Sequence, residues 1–491
     1  MDFARTYNRV RAAVDRSLLG DGLRAKATRG GAWVGAASVA EQASRFARNM
    51  VLTRLLAPSA FGAMAIVMSS SAIVGTLIDV GQKAAVVQNP RGAEKAYLNA
   101  AWWMGMGRAC LTYLVIFAIA PWVSSFYGNA QLSALLRVAL LSTLLDGAMS
   151  PRSILPQKEM KFGRWAAISN GGALCGVVLT VILSFALRNV WALAIGFCSE
   201  NAFRCLLSYI LCPGLPSLGL DRRAVRDLLK FSRGILGLSF MTLIFTRTDI
   251  FVLGKLYSPT VLGLYTMAVF LVQTPSSFIT TALGQTLLPA FSHVQEDAER
   301  INRILLEVTS WLIMLGLPVV VVICLCGPSL LRVLYGVRYV AAAGPLAVAS
   351  AVVFFTILNA VITCTLVGIG RPALHRLAMA SSAVVMMIAI YPACKLLGVV
   401  GGQAAALVAI LINYLLQVTY MRKLTGLDLS RYGKAFVPAL LASLGLLGVG
   451  LAARVLGLAA RPLANIALGV CACVVAYALC LPAYLRIKQA A

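Results

Sequence analysis

Val51-Leu-Thr-Arg-Leu-Leu-Ala-Pro-Ser-Ala-Phe-Gly62 returns, without a gap, 201 residues later as Val252-Leu-Gly-Lys-Leu-Tyr-Ser-Pro-Thr-Val-Leu-Gly263. The copies share Val51/Val252, Leu52/Leu253, Leu55/Leu256, Pro58/Pro259 and Gly62/Gly263. They also keep a base (Arg54/Lys255) and a hydroxyl (Ser59/Thr260). The physics is the same in both: proline ends one helix, glycine permits a tight reversal, and the base reaches out of the membrane to water. The offset organises the whole chain as an internal repeat, because six apolar stretches separate residue 30 from its counterpart near 231.

Composition says what those stretches are. Of the 491 residues 60% are hydrophobic and only 12% charged, with a mean hydropathy of +0.85, against roughly 25% charged in soluble domains. So little polar surface cannot cover a water-soluble globule. A helix needs about 20 apolar residues to cross a bilayer core. That ruler gives fourteen stretches, near 30–52, 59–80, 98–119, 131–150, 165–186, 189–211, 234–254, 260–283, 304–326, 341–367, 377–394, 399–420, 435–453 and 463–485. The expected fold is all-α: a polytopic membrane protein of 14 transmembrane helices, two six-helix lobes related by the repeat plus two C-terminal helices. Residues 1–29 form a basic N-terminal segment, 30–219 the N-lobe, 220–233 an amphipathic elbow, 234–425 the C-lobe and 426–491 helices 13 and 14. Two like-oriented lobes are a transporter architecture, with substrate expected where they meet.

The net charge is +26, a value that first suggests nucleic acid. Sorted by position, 29 of the 43 basic residues fall on one side of the fourteen spans, eight on the other and six inside them. Such asymmetry places both termini in the cytoplasm and leaves no groove-tracking patch for a nucleic acid. In the tail, Phe3, Tyr7, Val10, Val14 and Leu18 recur at helical spacing among arginines, either as a helix lying on an anionic leaflet or as a solvated tail. The first 29 residues are polar and the first apolar run is full membrane length, so no cleavable signal peptide is expected. The Cys-x-Cys pairs at 324/326 and 471/473 have no histidine or second pair to complete a metal site.

The run Leu52-Thr-Arg-Leu-Leu-Ala-Pro-Ser-Ala-Phe-Gly62, followed by Asp79-Val-Gly81, resembles the N-terminal signature of bacterial oligosaccharide flippases of the Wzx type. Within the multidrug/oligosaccharidyl-lipid/polysaccharide exporter superfamily, the colanic-acid-type exopolysaccharide subgroup is the most similar. The resemblance implies translocation of an undecaprenyl-diphosphate-linked oligosaccharide repeat unit from the cytoplasmic to the periplasmic leaflet of the inner membrane. It also implies alternating access, coupling to Na⁺ or H⁺ without a bound cofactor, and a polysaccharide polymerase and co-polymerase as partners.

Ionisable residues inside spans are costly, and they face an aqueous cavity or a partner. Glu41, Arg45, Arg48 and Asn49 share one helical face. Arg108, Arg137 with Asp146, Glu200 with Arg204, and Arg247 with Asp249 complete the set. Arginine keeps its charge and its fork matches phosphate oxygens, so Arg45, Arg48 and Arg247, then Arg204, Arg108 and Asn49, are the expected ligands of the diphosphate. Glu41, Asp249 and Glu200 are the candidate cation-coupling carboxylates. Two bland readings stand beside these. Glu41–Arg45 and Glu200–Arg204 are i, i+4 pairs that neutralise each other, and Arg48 pairs with Asp249, its equivalent under the offset. Arg137 and Asp146 are expected to snorkel or cap.

Rival functions are weaker. The longest outer connection, around 327–340, is too short for the catalytic loop of a polymerase or ligase, and His293 and His375 fall in cytoplasmic loops. No phosphate-binding Gly-x-x-x-x-Gly-Lys-Ser/Thr loop is present for ATP drive. A peptidoglycan-precursor flippase and a multidrug exporter remain as relatives. Six in-span basic residues stand against six acidic ones that lie in or close the spans (Glu41, Asp79, Asp146, Glu200, Asp249, Glu307); with Asp79 and Glu307 at the rims the deeper balance is six to four, which leans towards an anionic cargo.

Overall fold

An apolar run in lipid must satisfy its own backbone, and a helix does so within one segment. The computed structural model describes residues 23–78, 82–159, 161–217, 219, 221–232, 236–434, 436–455 and 462–489, and among them shows helices and turns with no strand. The N-terminal pattern from Phe3 to Leu18 and the Asp79-Val-Gly81 tripeptide lie outside the described residues.

The chain divides into two compact units, one holding residues up to Arg48 plus Ser70–Gly237, the other Asn49–Ser69 plus Leu238–Ala491. The first boundaries cut through helices α1 (Leu23–Leu55) and α2 (Pro58–Leu77). The rest of the first unit is α3 (Gln82–Gln88), α4 (Lys95–Tyr127), α5 (Gln131–Ala139), α6 (Leu141–Gly147), α7 (Leu155–Lys158), α8 (Phe162–Leu187), α9 (Val190–Leu211) and α10 (Arg222–Ser232). The second contains α11 (Leu236–Leu256) from Leu238 onward, α12 (Pro259–His293), α13 (Ala298–Leu334), α14 (Ala343–Gly368), α15 (Pro372–Leu397) and α16 (Val400–Thr425). It closes with α17 (Leu429–Lys434), α18 (Phe436–Val455) and α19 (Pro462–Gln489).

Among the described residues, each of the fourteen expected stretches is mainly helical, and His293 and His375 lie on helix ends rather than in loops. Among the described residues, ten helices are long and apolar enough to cross a membrane, eleven with one bent pair included. Helices α1 (Glu41, Arg45, Arg48, Arg54) and α11 (Arg247, Asp249, Lys255) each carry several charges, which lower their hydropathy, and the described apolar part of α19 is short. Burial runs opposite to a soluble protein. Val178, Ile182 and Phe185, about a turn apart on α8, are each 56 to 58% exposed, a stripe that lipid covers and water would not. The chain is a multi-pass membrane protein.

The stretch expected as one straight span at 131–150 is broken. The segment Gln131–Gly147 and the segment Pro151–Lys158 meet at 77°. Ser150 and Pro151 make the break, since Ser150 Oγ accepts from the Arg152 amide and Pro151 starts the next turn. The freed backbone is satisfied inside the unit. Trp102 Nε1 donates to the Met149 carbonyl (2.9 Å), the Tyr209 hydroxyl to that of Ala148 (2.8 Å), and the Ser150 amide to Ser208 Oγ (2.9 Å).

An amphipathic helix, α10, lies within the expected elbow. On α10, Ala224 and Leu228 are buried in a cluster with Ala85, Val86, Tyr97 and Leu98, while Arg222, Arg223 and Arg226 are exposed. The chain before it is stitched to α4: the Ser217 amide donates to Asn99 Oδ1 (2.7 Å) and Trp103 Nε1 to the Ser217 carbonyl (2.9 Å). The Arg223 and Ala224 amides, with Arg91 at 3.4 Å, hold the Asp221 carboxyl below its ordinary range.

In the second unit the two repeat copies meet face to face. A Cβ on Gly62 would collide with the Pro259 carbonyl, and a Cβ on Gly263 with the Pro58 carbonyl. The contact is reciprocal, as a two-fold relation between the copies requires. Arg54 donates to the Val333 carbonyl (2.9 Å) near the end of α13, so this base caps a helix.

Candidate functional site

Two i, i+4 ion pairs on different helices interlock in the first unit. On α1, Arg45 Nη2 lies 3.0 Å from Glu41 Oε1; on α9, Arg204 Nη2 lies 2.9 Å from Glu200 Oε1. Each arginine also reaches the other helix, Arg204 to Glu41 at 3.1 Å and Arg45 to Glu200. The result is a closed ring of two guanidiniums and two carboxylates. Glu200 is its sealed member, with a side chain 3% exposed, whereas Glu41, Arg45 and Arg204 are 23 to 25% exposed. Arg204 Nε adds a bond to the Ser169 carbonyl (3.2 Å). Arg48 is half-buried one turn further along α1, within electrostatic reach of Arg45 and Glu200.

Glycines on α8 make the ring possible. A Cβ at Gly176 would come within 2.6 Å of Glu200 Cβ, and one at Gly172 within 2.8 Å of the Arg204 backbone nitrogen. Gly-x-x-x-Gly spacing lets two membrane helices approach backbone to backbone. Here it seats α9 against α8 with the charged edge of α9 turned to α1. Gly172 and Gly176 are visible in the sequence but were not singled out; their signal was the four-residue spacing inside an apolar run.

The other expected site residues divide between the units. Arg108 on α4 lies 4.0 Å from Asp146 on α6, a loose pair in place of the snorkelling expected of Asp146. Arg137 sits over the Phe117 ring, 4.3 Å from its centroid, a cation–π contact. Asn49, Arg247 and Asp249 belong to the second unit, where Asn49 is buried and Arg247 half-buried. Asp249 accepts from the Tyr265 hydroxyl (2.7 Å), which in turn accepts from Gln403 Nε2 (2.6 Å). Tyr265 and Gln403 are 16 and 154 residues further along the chain than Asp249, and neither was expected.

A second polar chain crosses α14, α15 and α16. Asn413 Oδ1 accepts from Asn359 (3.2 Å) and Gln417 (2.6 Å), Asn413 Nδ2 donates to Ser382 (3.1 Å), and Thr363 donates to Gln417 (3.2 Å). Asn413, Gln417 and Ser382 are fully buried. These are neutral amides and hydroxyls that tie helices together.

Residues 51–344, from the first repeat copy into α14, match the model of the family described as polysaccharide biosynthesis protein. The chain belongs to that family. Among curated members and relatives, the lipopolysaccharide biosynthesis protein WzxC of Escherichia coli (strain K12) is 23% identical over 286 residues, 57% of each chain. The amylovoran biosynthesis protein AmsL of Erwinia amylovora is 26% identical over 48% of this chain and 61% of its own. The succinoglycan biosynthesis transport protein ExoT of Rhizobium meliloti (strain 1021) is 23% identical over 60% of both. The matched region thus spans 57 to 61% of these relatives' length. This family member also has the fold of a solved lipid II flippase, MurJ in an inward closed conformation, with a TM-score of 0.73, 11% identity, and coverage of 92% of this chain and 98% of that one. An inward-facing multidrug resistance transporter of the MATE family shares the fold at a TM-score of 0.57, with 13% identity and coverage of 78% and 95%.

Proposed function

We propose that this polysaccharide biosynthesis family member is a flippase, not an enzyme. It carries an undecaprenyl-diphosphate-linked oligosaccharide repeat unit from the cytoplasmic to the periplasmic leaflet of a bacterial inner membrane by alternating access. Both termini lie in the cytoplasm, and a polymerase and co-polymerase receive the cargo outside. The observation that carries this reading is the pair of guanidiniums, Arg45 and Arg204, held on the same two carboxylates between α1 and α9. Arginine inside a membrane-spanning segment is costly, and a phosphate ligand gives it work that a scaffold does not. Arg48 stands beside the pair and extends it. The matched relatives are named for polysaccharide biosynthesis, and one for transport. The lipid II flippase supports the fold and not the cargo.

The test is deletion of the protein in its own cell, followed by analysis of lipid-linked oligosaccharides in each leaflet. Complete repeat units accumulating on the cytoplasmic leaflet are expected. Accumulation on the periplasmic leaflet would assign a polymerisation step instead.

A further inference from the structure

Depth in the membrane can be read along α4. The helix has 33 residues, more than the about 20 that cross a hydrocarbon core. Trp103 and Trp122 lie 19 positions apart on it. That is about 29 Å at ~1.5 Å per residue, the thickness of the core, and interfacial tryptophans mark its two headgroup levels. Trp103 packs edge-on against Trp102 (4.9 Å between ring centroids) and donates to the Ser217 carbonyl (2.9 Å). The stretch before α10 is therefore held at one headgroup level. Arg152 ties it a second time, with Nη1 donating to the Pro213 carbonyl (3.2 Å). Between these two anchors Leu215 is 82% exposed.

Helix α10 continues that surface. Ala224 and Leu228 face the cluster beneath it. At about 3.6 residues per turn, the outer arc reads Leu229, Arg222, Arg226, Arg223 and Asp227 in order, all of them exposed. Among the described residues the three arginines enter no ion pair. Asp221, beside them, is bound by Arg91 (3.4 Å) and by the Arg223 amide (2.8 Å), and Asp227 sits at the end of the arc away from Leu229. An exposed leucine next to unpaired arginines suits a helix whose apolar edge enters the acyl boundary while its bases meet phosphate. We propose that residues 213–217 and α10 form a docking surface for anionic phospholipid. Leu215 and Leu229 lie below the phosphates, and Arg222 and Arg226 bond to them. Headgroup depth, positive charge and two exposed leucines together select a lipid over a protein partner. The elbow also links the two units, whose boundary falls at Gly237, so the bilayer grips the link itself. None of this depends on the cargo.

The test is amide hydrogen exchange of the purified full chain in nanodiscs of phosphatidylglycerol or of phosphatidylcholine, with no undecaprenyl lipid present. In peptides covering residues 213–232, exchange is expected to be slower in phosphatidylglycerol, by about fivefold for each arginine engaged. The difference should shrink as NaCl is raised. Arg222→Gln/Arg223→Gln/Arg226→Gln should abolish it at an unchanged melting temperature, whereas Arg222→Lys/Arg223→Lys/Arg226→Lys should keep it. Leu215→Asn/Leu229→Asn should quicken exchange in both lipids. Equal exchange of the wild type in the two lipids overturns the surface and leaves the arginines to a protein partner or to water. A difference that survives in the glutamine variant, or vanishes in the lysine variant, overturns it as well. So does a leucine variant that exchanges like the wild type.

Discussion

The two units of this chain bury polar groups in opposite ways. In the first, four formal charges form a ring whose members are about a quarter exposed except for Glu200. In the second, Asn413, Gln417 and Ser382 are fully buried, neutral and bonded to one another. Charges left partly exposed are available to a ligand; amides closed on themselves hold helices at a fixed spacing. Asp249 belongs with the second kind in its surroundings, since Tyr265 and Gln403 enclose it, although its charge belongs with the first.

The contrast is most directly broken by removing the arginines. Arg45→Ala with Arg204→Ala strands two carboxylates, one of them sealed, and the expected loss is about 3–5 kcal/mol, read as a large drop in melting temperature in detergent together with loss of export. Adding Glu41→Gln and Glu200→Gln should restore the melting temperature but not export. Recovery of both would mean that the ring is structural, like the amide chain.

Packing gives the next largest effect. Gly176→Leu drives a side chain into Glu200 Cβ and should cost about 1–3 kcal/mol and open the ring. Gly163→Ala, on the same helix with no atom near the added Cβ, should leave melting temperature and export unchanged. In the second unit, Gln417→Leu should lower stability by about 0.6–1.7 kcal/mol, the range for hydrogen bonds between membrane helices, while export continues. Export falling as far as with the arginine variants would dissolve the distinction between the units. Smallest of all is Arg303→Ala. Its pair with Glu299 is exposed on both sides, and such pairs contribute little, so melting curves of the variant and the parent should superimpose.

Helices were legible in the sequence because lipid imposes one solution on a run of apolar residues, and among the described residues every expected stretch is mainly helical. The bend at Ser150-Pro151 was missed although its signal was present: apolar residues continue on both sides and hide a capping serine followed by proline. The ring was legible only in halves. Glu41–Arg45 and Glu200–Arg204 each follow from i, i+4 spacing, but nothing periodic relates α1 to α9 across 155 residues, so their interlock is a fact of packing. Gly172 and Gly176 announced a close approach without naming the helix that makes it. Tyr265 and Gln403 gave no sign at all, because a tyrosine and a glutamine in apolar runs look alike whether or not a carboxylate lies beside them.

The meeting of Gly62 and Gly263 bears on how the chain came to look as it does. A duplicated segment ordinarily drifts from its sister as each copy adapts to its own neighbours. These two copies are each other's neighbours: the hydrogen of one glycine faces the proline carbonyl of the other copy, in both directions. Any side chain acquired on one side is refused by the backbone of the other. Gly62 and Gly263 are therefore held as glycines by each other, whatever the differing positions around them become.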